Sequence, residues 1–216
     1  VIVLVGKFLD GIGNFAFGSL LGDRMSSYAK TSFFSAYISN LGRASLWQVV
    51  YVPLTFVYDL VVLGLCYVVL LALLNIISVA VIAATAALML SVALFLCAQA
   101  VKLTLFNDAV PAFVTEKAKL RTAWKKTFSF SGDRFSPLFS TYLVTCLLIW
   151  CLNILFAFAT FGAALLITVP MSYLMLINIQ FVSYYTYGRR KYFLAEDKIV
   201  QPRQRSDEDF YDDFEI

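Results

Sequence analysis

The sequence contains no histidine, and only 14% of its 216 residues are charged, against about 25% in ordinary soluble domains. A chain with 61% hydrophobic residues and so few charges cannot cover its apolar surface in water. These proportions exclude a soluble enzyme, a disordered chain and a nucleic-acid-binding protein. The absence of histidine also removes the commonest general base and the commonest nitrogen ligand for metals. The composition therefore predicts a membrane protein.

Sequence patterns that carry catalysis or hold cofactors are missing as well. The chain has no glycine-rich phosphate loop, no run that resembles a selectivity filter and no metal-ligand spacing. Its four cysteines lie within apolar runs and lack the paired spacing of metal sites, so we interpret them as packing residues. We expect no catalytic residues, no metal and no cofactor, and hence a protein that is not an enzyme.

Long uncharged runs are what the sequence does contain. Between Arg43 and Lys102 the only charge is Asp59, and a second uncharged run covers 137–188. About 20 helical residues cross a hydrocarbon core of about 30 Å, so each run is long enough for two spans. Breaks near 75–78 and 158–162 divide the two runs. The sequence predicts an all-α polytopic transmembrane helix bundle with four spans, at 46–74, 78–100, 138–158 and 163–184.

Basic residues decide the expected orientation of these spans. The segment before the first hairpin contributes Arg24, Lys30 and Arg43, the segment 102–136 has seven basic residues against three acidic ones, and 189–191 is Arg-Arg-Lys. Both hairpin turns are uncharged. The positive-inside rule places the three basic segments in the cytoplasm. We expect an integral protein of a bacterial plasma membrane with a cytoplasmic C-terminus.

The first 22 residues are apolar at the start but then carry Lys7, Asp10 and several glycines. They fit a short or tilted span whose glycines allow close helix approach, or a half-buried interfacial or re-entrant element. We favour a membrane-embedded segment that does not span cleanly. Residues 1–200 then form a single membrane domain, and 201–216 form an acidic cytoplasmic tail.

Two segments have apolar residues at helical spacing beside charged edges, which predicts amphipathic helices at the cytoplasmic interface. The first carries Phe33, Phe34, Tyr37, Ile38 and Leu41. In the second, the residues that face one way are Phe113, Leu120, Trp124 and Phe128. The basic residues of this second segment are Lys117, Lys119, Arg121, Lys125 and Lys126. They either extend into water from a docked helix or attract anionic lipid headgroups, at about 1 kcal/mol for each residue near the surface.

An alignment of Arg43 with Arg134 suggests a tandem duplication. Each unit then consists of an amphipathic helix, an elbow and a hairpin, which would be a parallel repeat about an axis along the membrane normal. Chance similarity is the alternative hypothesis, because the identity between the two units is low.

Polar side chains inside the predicted spans are the candidates for a site, namely Asp59, Asn75 and Asn153. Asp59 is the only acid deep within a span, where an ionised group is costly and usually faces the bundle interior or a cavity. It either binds a cation or a proton in transport, or has a structural role. Its structural partners would be Tyr58, Tyr67, Asn75 or Asn153. We expect the side-chain amides in or near the spans to form hydrogen bonds between helices. These residues are Gln99, Asn153, Asn178 and Gln180.

The C-terminal segment 206–216 combines six acids with large apolar residues. A solvated tail and back-folding onto the basic loops are two interpretations. A third is a short partner-binding motif in which the acids attract a basic surface and apolar side chains are buried. The apolar side chains are Phe210, Tyr211 and Phe214.

Residues 110–117 (VPAFVTEK) and 123–127 (AWKKT) resemble the elbow of small bacterial polytopic proteins, the YciC-like group and the membrane domain attached to some glycerophosphodiester phosphodiesterases. The resemblance covers roughly 95–200. It implies a span, a Pro and Glu-Lys stretch, an amphipathic helix and a further hairpin. It implies no catalytic residues, and the phosphodiesterase domain itself is absent from the sequence.

Three classes of function follow from these patterns. The leading hypothesis is a non-enzymatic scaffold or accessory subunit of a membrane protein complex, because chemistry-bearing motifs are missing while interaction-prone segments are present. The alternative is a small transporter, channel or lipid-translocating protein, which Asp59, Pro53 and Pro170 would support. An enzyme ranks third. The expected partners are the bilayer, including anionic lipids, and a protein partner, but not nucleic acid.

Overall fold

A computed structural model of the chain describes residues 2–26, 32–77, 79–116, 120–128 and 132–188. Within these ranges the chain forms seven α-helices and no strand, which confirms the all-α fold. The helices are α1 (Ile2–Ser26), α2 (Phe33–Ile76), α3 (Ala80–Leu105), α4 (Ala109–Thr115), α5 (Leu120–Phe128), α6 (Gly132–Ala159) and α7 (Leu165–Tyr187). Of these, α2, α3, α6 and α7 are long and apolar enough to cross a membrane, as predicted.

The four long helices form two hairpins whose turns lie where the sequence placed them. Helix α2 ends at Ile76 and α3 begins at Ala80, while 160–164 joins α6 to α7. In the second turn Phe161 and Gly162 have positive φ values of 50° and 88°, a conformation that glycine adopts without steric cost. The N–H of Gly162 donates to the carbonyl of Ala157 at 2.8 Å, which closes the end of α6.

The first amphipathic segment is not a separate interfacial helix, so that part of the prediction is wrong. Residues from Phe33 onward belong to α2, which runs without a break for 44 residues, about 66 Å. Its N-terminus is capped by Ser32, whose side chain accepts from the N–H of Ser35 at 3.3 Å. Neither Gly42 nor Pro53 interrupts the helix. The helix also continues through Arg43. The guanidinium of Arg43 donates to the Phe113 carbonyl at 3.2 Å.

The second amphipathic segment is divided between α4 and α5 rather than forming one helix. Phe113 lies on α4 and Trp124 on α5, yet both rings contact Trp47 of α2, with centroids 5.9 Å and 4.7 Å away. Phe113 and Trp124 thus pack on the same ring of α2 although they lie on different helices, and the expected single amphipathic helix is not formed. In the first proposed repeat unit the amphipathic part continues into the span, whereas α5 and α6 are separate helices. The duplication stays a prediction.

Helix α1 is not one of the four helices that qualify as spans. It packs antiparallel to α2, because Lys7 contacts Asp59 while Phe15, farther along α1, contacts Trp47. Gly11 faces α2, since a Cβ there would meet the end of the Gln48 side chain at 2.1–2.5 Å and this side chain would have to move. The segment is therefore held against the bundle along its length.

Buried residues are concentrated at one end of the bundle, where α1, α4 and α5 surround the long helices. One aromatic cluster joins α1, α2, α4 and α5, a second joins α1, α4 and α7, and a third joins α3 to α6. In the half of each hairpin next to its turn the side chains are mostly exposed and apolar. No residue of α2 after Val62, of α6 after Thr145, or of α7 before Ile177 is buried. Such surfaces are stable in lipid but not in water.

Candidate functional site around Asp59

The carboxylate of Asp59 accepts hydrogen bonds from two other helices. Lys7 of α1 donates from Nζ to Oδ2 at 2.7 Å, and Lys102 of α3 donates from Nζ to Oδ1 at 2.8 Å. Gln99, one turn before Lys102, donates from Nε2 to Oδ1 at 3.3 Å. We call these four residues the Asp59 cluster. It links α1, α2 and α3 through a single side chain.

These partners differ from the ones that the sequence analysis expected for a structural role of Asp59. Two of them are lysines that lie far away in the sequence. The structural partners expected for it were Tyr58, Tyr67, Asn75 and Asn153, but the contacts are made by Lys7, Gln99 and Lys102 instead. Tyr58 supports the cluster indirectly, because its hydroxyl donates to the Ala98 carbonyl at 2.7 Å and its ring lies 5.9 Å from Lys102 Nζ.

The cluster is partly shielded from solvent and lies away from the middle of the spans. Side-chain exposure is 20% for Asp59, 15% for Lys102 and 38% for Lys7. Asp59 is about 25 Å along α2 from Ile76, and Lys102 is about 33 Å along α3 from its first residue. With the turn of this hairpin at one boundary of a hydrocarbon layer of about 30 Å, the cluster lies nearer the opposite boundary than the middle. Lysines near such a boundary can extend toward the headgroups, which lowers the cost of their charge.

The charge balance of the cluster limits its chemistry. Two ammonium groups face one carboxylate, and both carboxylate oxygens accept hydrogen bonds from within the chain. Such an arrangement neutralises the acid and fixes its position. It fastens α1 to the first hairpin.

Asn153 joins the two helices of the second hairpin, as expected. It donates from Nδ2 to the Ser172 hydroxyl at 3.2 Å and accepts from the Thr168 hydroxyl at 2.6 Å. Asn75 does not link helices, because its Nδ2 donates to the Leu71 carbonyl of its own helix at 2.8 Å. The three intramembrane candidates thus do not form one site, and Asn75, Asn153 and Asp59 have separate roles.

The basic patch of the middle segment is described only in part. Arg121 and Lys125 are exposed on α5, while Ala123 and Trp124 of the same helix pack on the aromatic cluster, so α5 is amphipathic as predicted. Lys117 and Lys119 lie outside the described residues, as does the side chain of Lys126. The tail residues Phe210, Tyr211 and Phe214 also lie outside them.

Further polar contacts in the packed end of the bundle were not expected from the sequence. Tyr142 of α6 donates to Asn107 Oδ1 at 2.5 Å, and Asn107 donates to Asp108 at 2.6 Å. Tyr184 of α7 donates to Glu116, which follows α4. These bonds hold α4 and its flanking residues against α6 and α7. Among the described residues there is no group of three Cys, Asp or Glu side chains that could hold a metal ion.

Comparisons with known proteins give no match of this chain to a family model, a curated protein or a solved structure. The resemblance of residues 95–200 to YciC-like proteins accordingly stays a prediction.

Proposed function

We propose that this protein is a non-enzymatic integral membrane scaffold or accessory subunit of a membrane protein complex. The observation that carries the proposal is the internal ion pairing of Asp59, the one carboxylate between Arg43 and Lys102. A transport site needs an acid that can exchange a proton or a cation. Here Lys7 and Lys102 already supply the counter-charge.

The distribution of exposed apolar residues supports the same proposal. The hairpin halves next to the two turns expose large side chains such as Leu65, Met89, Leu155 and Ile167. These surfaces suit contact with lipid and with transmembrane helices of other proteins, where van der Waals packing drives association. The packed end, in contrast, has its large aromatic residues buried between helices.

The basic residues on and near α5 and the acidic C-terminal tail extend the proposal to particular partners. Arg121 and Lys125 project from α5, and the sequence adds Lys117, Lys119 and Lys126 nearby. We propose that this patch contacts anionic headgroups of a bacterial plasma membrane. The tail, with Phe210, Tyr211 and Phe214 between acids, would bind a basic surface of a protein partner on the cytoplasmic side.

The test is quantitative co-purification of the tagged chain from its own membranes in mild detergent. We expect a protein partner at a fixed stoichiometry with the full chain. A chain that ends at Arg205 should insert equally well and retain much less partner. A matched variant that keeps the tail acids but carries Phe210→Ala, Tyr211→Ala and Phe214→Ala separates apolar contact from charge, and it should lose partner as well.

Reconstitution of the pure protein into liposomes distinguishes the alternative. The scaffold proposal predicts no flux of protons or cations and no exchange of labelled lipid between leaflets. It would be contradicted by flux that Asp59→Asn abolishes while the yield of folded protein is unchanged. Such a result would instead assign a transport function to the Asp59 cluster.

A further inference from the structure

An unpartnered carboxamide lies on the outward face of α7. The side chain of Asn178 is exposed, and the part of the chain that the structure describes makes no hydrogen bond to it. Asn153, on the facing helix of the same hairpin, differs because its amide is bonded to both Ser172 and Thr168. Asn178 therefore has hydrogen-bonding capacity that the bundle does not use.

The position of Asn178 makes this unused capacity costly. It lies about 20 Å along α7 from Leu165 and about 14 Å from Tyr187, so it is inside the apolar stretch of a span. The amide donor could turn to the Leu174 carbonyl, as Asn75 does with Leu71. The Oδ1 acceptor would still lack a donor, because lipid chains offer none.

An exposed apolar stripe on α7 leads to Asn178 from the side of the hairpin turn. Met171, Leu174, Met175 and Val182 lie three, four or seven residues from Asn178, on the same side of the helix, and all are exposed. The stripe ends just beyond Asn178, because Phe181 and Tyr185, three and seven residues farther along the helix, are buried against α1 and α4. This stripe is opposite to the face on which Leu176 and Tyr187 pack against the third core cluster. It is apolar apart from the amide, so a partner on this face would need a transmembrane helix with a matching hydrogen-bonding group.

We propose that the partner on this face is a second copy of the same chain. Two copies with the same orientation, related by a two-fold axis along the membrane normal, place their Asn178 side chains at the same depth. A carboxamide is both donor and acceptor, so each Asn178 Nδ2 can donate to the Oδ1 of the other. The flanking methionines adapt to a close helix contact because their side chains are unbranched and flexible. This dimer does not depend on the proposed scaffold function.

Dissociation of the labelled protein in liposomes tests the proposal without any other partner present. Energy transfer measured at decreasing protein-to-lipid ratio should give a dimer dissociation constant that Asn178→Leu raises about tenfold, which corresponds to about 1.4 kcal/mol. Asn178→Gln keeps the amide and should restore most of the association. Leu148→Ala, on the exposed face of α6, is the matched control and should have no effect.

A cross-linking experiment fixes the geometry. In a background whose four native cysteines are replaced by alanine, Met175→Cys, which leaves Asn178 intact on the same face, should form a disulfide between copies on oxidation in the membrane, whereas Leu148→Cys should not. The proposal is overturned if the protein stays monomeric at every density, or if Asn178→Leu leaves the dissociation constant unchanged. Cross-linking through Leu148→Cys in preference to Met175→Cys would also overturn it, because the copies would then meet through α6.

Discussion

Replacement of Asp59 by leucine should destabilise the bundle, because it leaves two lysines without a counter-charge. Lys102 cannot leave its position easily, since its side chain is only 15% exposed between α2 and α3. Lys7 is 38% exposed and can extend toward the headgroups. Most of the cost should therefore fall on Lys102.

The expected magnitude follows from the burial of this pair. Removing one partner of a fully buried ion pair costs about 3–5 kcal/mol, and the partial exposure here reduces this to about 2 kcal/mol. For a chain of this length, 1 kcal/mol corresponds to roughly 2–4 °C in the melting temperature, so Asp59→Leu should lower it by about 4–8 °C. Asp59→Asn keeps hydrogen-bond acceptors and should cost about half as much.

The assay is thermal unfolding of the purified protein in detergent or nanodiscs, in which the remaining fraction of the monodisperse species is measured as the temperature rises. Asp10→Leu is the control, because Asp10 is exposed on α1 and its replacement should not change the melting temperature. Adding Lys102→Leu to Asp59→Leu should recover part of the loss by removing the stranded charge. If Asp59→Leu melts at the same temperature as the parent, the ion pairs do not stabilise the fold and the reasoning is refuted.

Two further predictions use the same measurement. Gly18→Ala should lower the melting temperature, because a Cβ there would lie 3.0 Å from the Phe181 ring. The control Gly13→Ala should be neutral or slightly stabilising, because a Cβ there meets nothing within 4 Å. Equal effects of the two substitutions would contradict the close packing of α1 on α7. Asn153→Leu should lower the free energy of unfolding by about 1 kcal/mol, because it leaves the Thr168 hydroxyl without its acceptor. Adding Thr168→Val should lower it little further. If the losses of the two substitutions add up, the hydrogen bond between Asn153 and Thr168 does not stabilise the fold.

The spans and their turns could be predicted because the signal is local. An uninterrupted apolar run much longer than a bilayer must turn once, and the only polar residues in the first run suited to a turn are near Asn75. In the second run Gly162 marks the turn, and the structure gives it a positive φ. Helix ends inside charged segments were predicted less well. The amphipathic segment from Phe33 was expected to be separate from the span at 46–74, but the helix continues through Arg43, whose side chain makes a tertiary contact.

The partners of Asp59 could not be predicted because they depend on how α1 and α3 pack against α2. Lys7 is separated from Asp59 by 52 residues and Lys102 by 43, and no periodicity connects them. On α1, Gly11 faces Gln48 and Phe15 contacts Trp47, and these neighbours are known only from the packing. A charge argument could have suggested Lys102, since an acid in a span usually pairs with a base and Lys102 follows the other span of the same predicted hairpin.

The measurement that tests the central claim most directly is the side of the membrane on which each helix end lies. In the background without native cysteines, Phe161→Cys at the turn of the second hairpin should react with an impermeant thiol reagent added to intact cells. Lys119→Cys and Asp207→Cys, on the expected cytoplasmic side, should react only after the membrane is permeabilised. Labelling of Lys119→Cys or Asp207→Cys from outside intact cells would contradict the membrane topology on which the account depends.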